Sequence, residues 1–128
     1  MSFDLTVKAD DNYSVSTDLH RLGEFLAQLP HVRANGQRGF VLDDPPSRWM
    51  EVDLEVVSPE GDYDEELSEN SLEVNCIRLH IPYGRLGKKP ERDYFPTARA
   101  IAKFLAWRLY DEQSGEDVPD AGIPKRKQ

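Results

Sequence analysis

The chain has 128 residues, of which 38% are hydrophobic and 31% charged, and a formal net charge of −8. That length fits one domain with a modest core, and the negative balance argues against nucleic-acid or anionic-membrane partners, which need a basic footprint. No apolar run approaches a membrane span, the first residues lack the basic leader of a secretory signal, and the single cysteine, Cys76, excludes an internal disulfide framework. A reducing compartment suits such a chain, so the expected location is cytoplasmic.

Phe3-Asp4-Leu5-Thr6-Val7 alternates apolar and polar side chains, the period of a half-buried strand. Asp10-Asp11-Asn12 follows as a loop. Ser16 or Thr17 is a suitable helix cap, with Asp18 in the first turn. Leu19, Leu22, Leu26 and Leu29 then recur at helical spacing with Phe25 beside them, until Pro30 stops the helix near Gln28. Gly23 in mid-helix is costly, and a close approach of the sheet would justify it.

Asn35-Gly36 is a hairpin signal, because both central residues of a type I′ turn need positive φ. It predicts strands over 31–34 and 37–43, although Phe40 and Leu42 fall out of phase with Val32 and Ala34 and Gly39 suggests a bulge. After the turn Asp43-Asp44-Pro45-Pro46-Ser47, the stretch Met50 to Val56 reads as the clearest strand. Met50, Val52, Leu54 and Val56 take the core side, and Glu51, Asp53 and Glu55 make an acidic outer side.

Residues 58–71 are polar and acidic and read as a mobile loop. Leu72 to Tyr83 reads as a strand whose inward phase slips at Cys76-Ile77, which implies either a bulge or covering on both faces. A basic loop, 82–90, leads into the stretch Phe95 to Tyr110, around which the chain is organised. Phe95 reads as its cap and Pro96 as its first turn, with Ala98, Ile101, Ala102, Leu105 and Leu109 on the core stripe. Phe104 and Trp107 then lie almost opposite, so this helix needs a second covering. The N-terminal helix is one candidate for it, and a symmetric homodimer through Phe104 and Trp107 is the other; a packed monomer is favoured.

These elements give an α+β fold of order β-α-β-β-β-β-α. Its two layers are an antiparallel-rich sheet of about five strands and two helices on one face. Residues 1–111 form the expected domain, and 112–128 read as a disordered tail with too little apolar mass to order.

Charge is segregated along the chain. Residues 43–75 carry twelve acids against Arg48, whereas 76–110 carry eight bases against Glu91 and Asp93. His20, His31 and His80 match no zinc-ligand spacing, the acidic loop lacks the EF-hand pattern, and no nucleophile motif appears, so no metal or cofactor is expected. Cys76, in mid-strand, reads as a small buried hydrophobe. The residues thus point to a small non-enzymatic protein-binding module. It would use Glu51, Asp53, Glu55, Asp62, Asp64, Glu65 and Glu66 against a basic protein partner, for example in neutralising a toxin. The alternative is a small ligand-binding domain or enzyme. It would use His80, paired with a carboxylate, together with the anion-binding loop cations Arg85, Lys88, Lys89 and Arg92.

Overall fold

The computed structural model describes residues 2–119. Strand β1 (Ser2–Lys8) is followed by the two-residue β2 (Thr17–Asp18), helix α1 (Leu19–Leu26), and strands β3 (Val32–Ala34), β4 (Gly39–Asp44) and β5 (Arg48–Glu55). Then come helix α2 (Glu65–Asn70), strands β6 (Glu73–Val74) and β7 (Cys76–Pro82), and the short helices α3 (Tyr83–Leu86) and α4 (Pro90–Asp93). Helix α5 (Phe95–Leu105) and strands β8 (Arg108–Asp111) and β9 (Glu116–Asp117) complete the described chain.

Seven strands form one antiparallel sheet in the order β3-β4-β5-β7-β1-β8-β9, and β2 pairs with β6 beside it. The five expected strands make up β3, β4, β5, β7 and β1, in that spatial order. One face of this sheet carries the core. Leu5, Val7, Leu42, Met50, Val52, Leu54, Ile77, Leu79 and Ile81 are all buried there against Leu22 and Leu26 of α1 and Phe95, Ala98, Ile101 and Ala102 of α5. The α+β class and the two helices sharing one apolar cluster therefore match the pattern of the sequence.

Helix α1 is capped one residue later than expected. The Asp18 carboxylate accepts the Arg21 N–H at 2.8 Å, while Thr17 is taken up by β2, opposite Val74. Gly23 lies under the Phe40 ring, but a Cβ there would sit 3.6 Å from that ring, an ordinary contact, so the approach does not demand glycine. The hairpin closes over four residues, Asn35 to Arg38, with Gly36 at φ 92°. This longer loop sets Val32 opposite Leu42 and Ala34 opposite Phe40, which removes the apparent phase conflict. Gly39 is required for a different reason from a bulge: a Cβ there would meet the Asn35 carbonyl oxygen at 2.5 Å.

The organising helix is shorter than its pattern. It ends at Leu105, because Ala106 turns into the left-handed region (φ 58°, ψ 39°) and donates to the Ala102 and Lys103 carbonyls. Trp107 is then in the connection, and Leu109 is buried from a strand paired with β1. Leu109 suits either element, and the free edge of β1 decides between them by offering backbone partners. The segment after Tyr110 likewise continues in order: β8 turns into β9, and Val118 N–H donates to the Leu109 carbonyl at 2.7 Å. The rest of the expected tail, 120–128, lies outside the described residues.

The edges of the seven-stranded sheet are short. β3 has three residues and β9 two, Glu116 and Asp117, both exposed.

Candidate functional site

Neither α1 nor α5 packs on the other face of the sheet. Strand alternation sends Glu51, Asp53 and Glu55 of β5 there, with Cys76, Arg78 and His80 of β7 and Asp4, Thr6 and Lys8 of β1. Register puts Glu51 beside His80 and His80 beside Asp4, and in the next row Asp53 beside Arg78 and Arg78 beside Thr6. The acidic row read from β5 is thus met by the Arg78 guanidinium and the His80 imidazole of β7, which the sequence pattern of a single strand does not show.

The three carboxylates have different fates. Glu55 receives the Arg78 Nε–H at 2.7 Å, and Arg78 also donates to the Gly61 carbonyl at 3.0 Å. Burial nevertheless pushes the Glu55 carboxyl up, and Arg78 only partly offsets it. Asp53 is also raised, first by burial and then by the neighbouring Glu51, and His80 and Arg78 offset this only in part. Neither the Glu51 nor the Asp53 carboxylate forms a hydrogen bond or ion pair with any described residue. Val56, expected in the core, is only half-buried, because the strand ends at Glu55 and Val57 takes the buried place.

The acidic segment 58–71 is ordered, contrary to its composition. Val57 and Tyr63 form an isolated bridge, and Asp64 caps α2 by accepting the Leu67 N–H at 2.9 Å. Ser68 Oγ accepts from the Val56 N–H at 2.8 Å and donates to its carbonyl at 3.1 Å. Arg38 spans the join, donating to the carbonyls of Leu54, Ser71 and Glu73. Side chain to backbone bonds therefore do what apolar mass could not.

Asn75 is the pivot at which the β6–β7 stretch changes partners. Its amide oxygen accepts the Val57 N–H at 2.8 Å, and its nitrogen donates to the carbonyls of Val57 and Tyr13. Through it the Tyr13 loop and the Val57 bridge cover the end of the outer face. Below them Cys76 is fully buried, its thiol pushed up to about 12 by that burial. The phase slip in the sequence is therefore a strand apolar on both sides near Cys76-Ile77. Lys8 is buried too, its ammonium 4.1 Å from the Tyr110 ring centroid and 5.3 Å from that of Tyr13.

Two adjoining hollows result. One, of about 360 Å³, has Asp4, Asp53, Arg78, His80 and Glu112 in its lining; His80 Nδ1 lies 3.0 Å from Asp4 Oδ1. The other, of about 460 Å³, runs from Arg38 past Asp53 and Glu55 to Tyr63 and Glu69. Asp53 lines both, so the hollows meet at its carboxylate and join the sheet face to α2, with Arg38 and Arg78 also in the linings. Asp62, Glu65 and Glu66 are exposed, whereas Asp64 is engaged as a cap.

The basic loop does not join His80. Leu86 and Tyr94 anchor it in the apolar cluster, where Tyr94 donates its hydroxyl to the Arg85 carbonyl and receives the Trp49 N–H at 3.3 Å. Arg85, Lys88, Lys89 and Arg92 are exposed, and none of them lines the hollow beside His80. Phe104 stacks on Phe25 with ring centroids 4.0 Å apart, so α1 does lie against the second side of α5. Trp107 is half-buried and lines a separate hollow of about 380 Å³ with Ala102, Leu109 and Val118.

Among the described residues, no group of His, Cys, Asp and Glu is arranged to hold a metal ion, and no helix is long and apolar enough to cross a membrane. No protein-family model matches the chain, and no curated protein or solved structure shows significant similarity to it.

Proposed function

We propose that the protein is a non-enzymatic binding module whose outer sheet face and α2 receive a basic protein partner. The observation that carries this reading is the position of Asp53. It is unpaired with any described residue, adjacent to Glu51, and set where the two hollows meet. A carboxylate kept half-buried beside another carboxylate has a local cost that an incoming cation relieves. Glu51, Asp53, Asp62, Glu65 and Glu66 are the contact set; Glu55 and Asp64 support it through Arg78 and α2.

Binding of an oligolysine peptide, followed by fluorescence anisotropy at several salt concentrations, tests the reading. The Glu51→Gln/Asp53→Asn variant is expected to bind about fivefold more weakly, with a shallower salt dependence. Unchanged affinity and salt dependence would overturn it.

A second reading takes the hollow beside His80 as a small-ligand or catalytic site, favoured by the His80–Asp4 couple at 3.0 Å. Asp4 would orient the imidazole. An NMR fragment screen tests it, with shifts expected at Thr6, Arg78 and His80; shifts confined to α2 would count against it.

A further inference from the structure

Among the described residues five large apolar side chains stand exposed, and three of them, Tyr63, Leu67 and Leu72, come from the acidic stretch 58–73. Leu67 lies on α2 and Leu72 follows directly on its C-cap, where the Ser71 N–H donates to the Leu67 carbonyl at 2.8 Å. They are 50% and 60% exposed on a backbone fixed at both ends: Asp64 caps α2, Arg38 holds the Ser71 and Glu73 carbonyls, and Leu72 accepts the Leu19 N–H at 2.8 Å. Single exposed leucines need no explanation, but two on one short, rigid and otherwise acidic stretch have the character of an interaction surface.

The surrounding charge selects what can cover the pair. Glu65, Glu66, Glu69 and Glu73 are exposed around it, and 58–73 contains no Lys or Arg. Arg38 reaches the segment, but its guanidinium is occupied by three carbonyl groups. An anionic membrane or a nucleic acid would be repelled, and a second copy would set the same carboxylates against each other. A polypeptide with an apolar stripe flanked by Lys and Arg meets both features at once.

We propose that Leu67 and Leu72, framed by these glutamates, dock a cationic amphipathic segment of a protein partner. The inference rests on the basic-partner reading above and adds the partner's pattern: apolar side chains on the leucine pair, with cations on the rim.

Two synthetic peptides of identical Leu and Lys content test it on the full chain. One is spaced to form an amphipathic helix, and the other is scrambled so that leucine is spread around the helix. The wild-type protein is expected to bind the amphipathic peptide about tenfold more tightly, as burial of a leucine side chain requires. In Leu67→Ser/Leu72→Ser that ratio should fall to about one, with an unchanged denaturant melt because both side chains are exposed. NMR shifts in the wild type should centre on residues 63–73, a readout independent of the variant. Equal binding of the two peptides by wild type would overturn the inference while leaving the basic-partner reading intact. A ratio unchanged in the double variant would also overturn it. Binding of neither peptide would sink both readings. Sedimentation showing a dimer that the leucine variant abolishes would make a second copy the occupant and likewise overturn the inference.

Discussion

On the helix-covered face of the sheet, strand and helix side chains from Leu5 to Ala102 meet in one apolar cluster and, the Tyr94 hydroxyl apart, contribute by burial. On the other face, the cover is short of apolar mass and is held by particular polar groups: Arg38 on three carbonyls, Asn75 on Val57 and Tyr13, Ser68 on Val56. The first kind of order is spread over many interchangeable contacts. The second is concentrated in few residues, each holding backbone groups that would otherwise lack partners.

That difference can be broken from either side. Leu79→Ala, in the middle of the fully buried face, is expected to cost about 3–4 kcal/mol in a denaturant melt, without selective loosening of the outer cover. Asn75→Leu should cost slightly less, about 2–3 kcal/mol, because it strands the Val57 N–H and carbonyl. Its signature is different: the Cys76 thiol, protected in the wild type, should react with a disulfide reagent before global unfolding. Simultaneous thiol exposure and unfolding in Asn75→Leu would show that the cover and core are one unit.

Smaller effects sharpen the comparison. A double-mutant cycle on Phe25→Ala and Phe104→Ala should show coupling of about 1 kcal/mol from the stacked rings. Additive losses would mean that α1 and α5 do not meet there. Gly23→Ala should raise stability by about 0.5–1 kcal/mol, since its Cβ fits against Phe40 and the helix gains a better former.

The least effect, and the most specific, belongs to Asp53. Its raised carboxyl favours the folded state when protonated, a contribution present below the ordinary value of 3.8 and lost as pH rises through the folded one. Asp53→Asn should therefore be more stable than wild type at neutral pH, and the gain should vanish below the carboxylate range. A gain independent of pH in melts across that range would contradict this origin.

The sequence made the apolar face legible because its signal is periodic: Met50, Val52 and Leu54 alternate, and Leu19, Leu22 and Leu26 recur by turns. It also marked Asn75 indirectly, through the phase slip beside it. What it did not carry was any element whose ordering depends on distant polar partners. The segment 58–71 looks mobile until Arg38 and Val56 are placed against it. The end of α5 was hidden for a related reason, since Ala106 in the left-handed region has no glycine to announce it, and the edge of β1 that recruits Leu109 is remote in sequence. Of the candidate site, the outward direction of Glu51 and Asp53 was legible. Arg78 and His80 opposite them were not, because register with β7 is not written in β5, and the separation of His80 from the basic loop required the third dimension.

The short rims of the sheet, three residues at β3 and the two acids of β9, have a consequence for specificity. A protein with a long free rim can annex almost any extended chain, because main-chain hydrogen bonds do not distinguish one sequence from another. Here that promiscuous route is nearly closed, and the same brevity discourages copies of the protein from stacking rim to rim into fibrils. A partner of the kind proposed would have to be told apart by its side chains, so discrimination would depend on the pattern of charge and grease it presents.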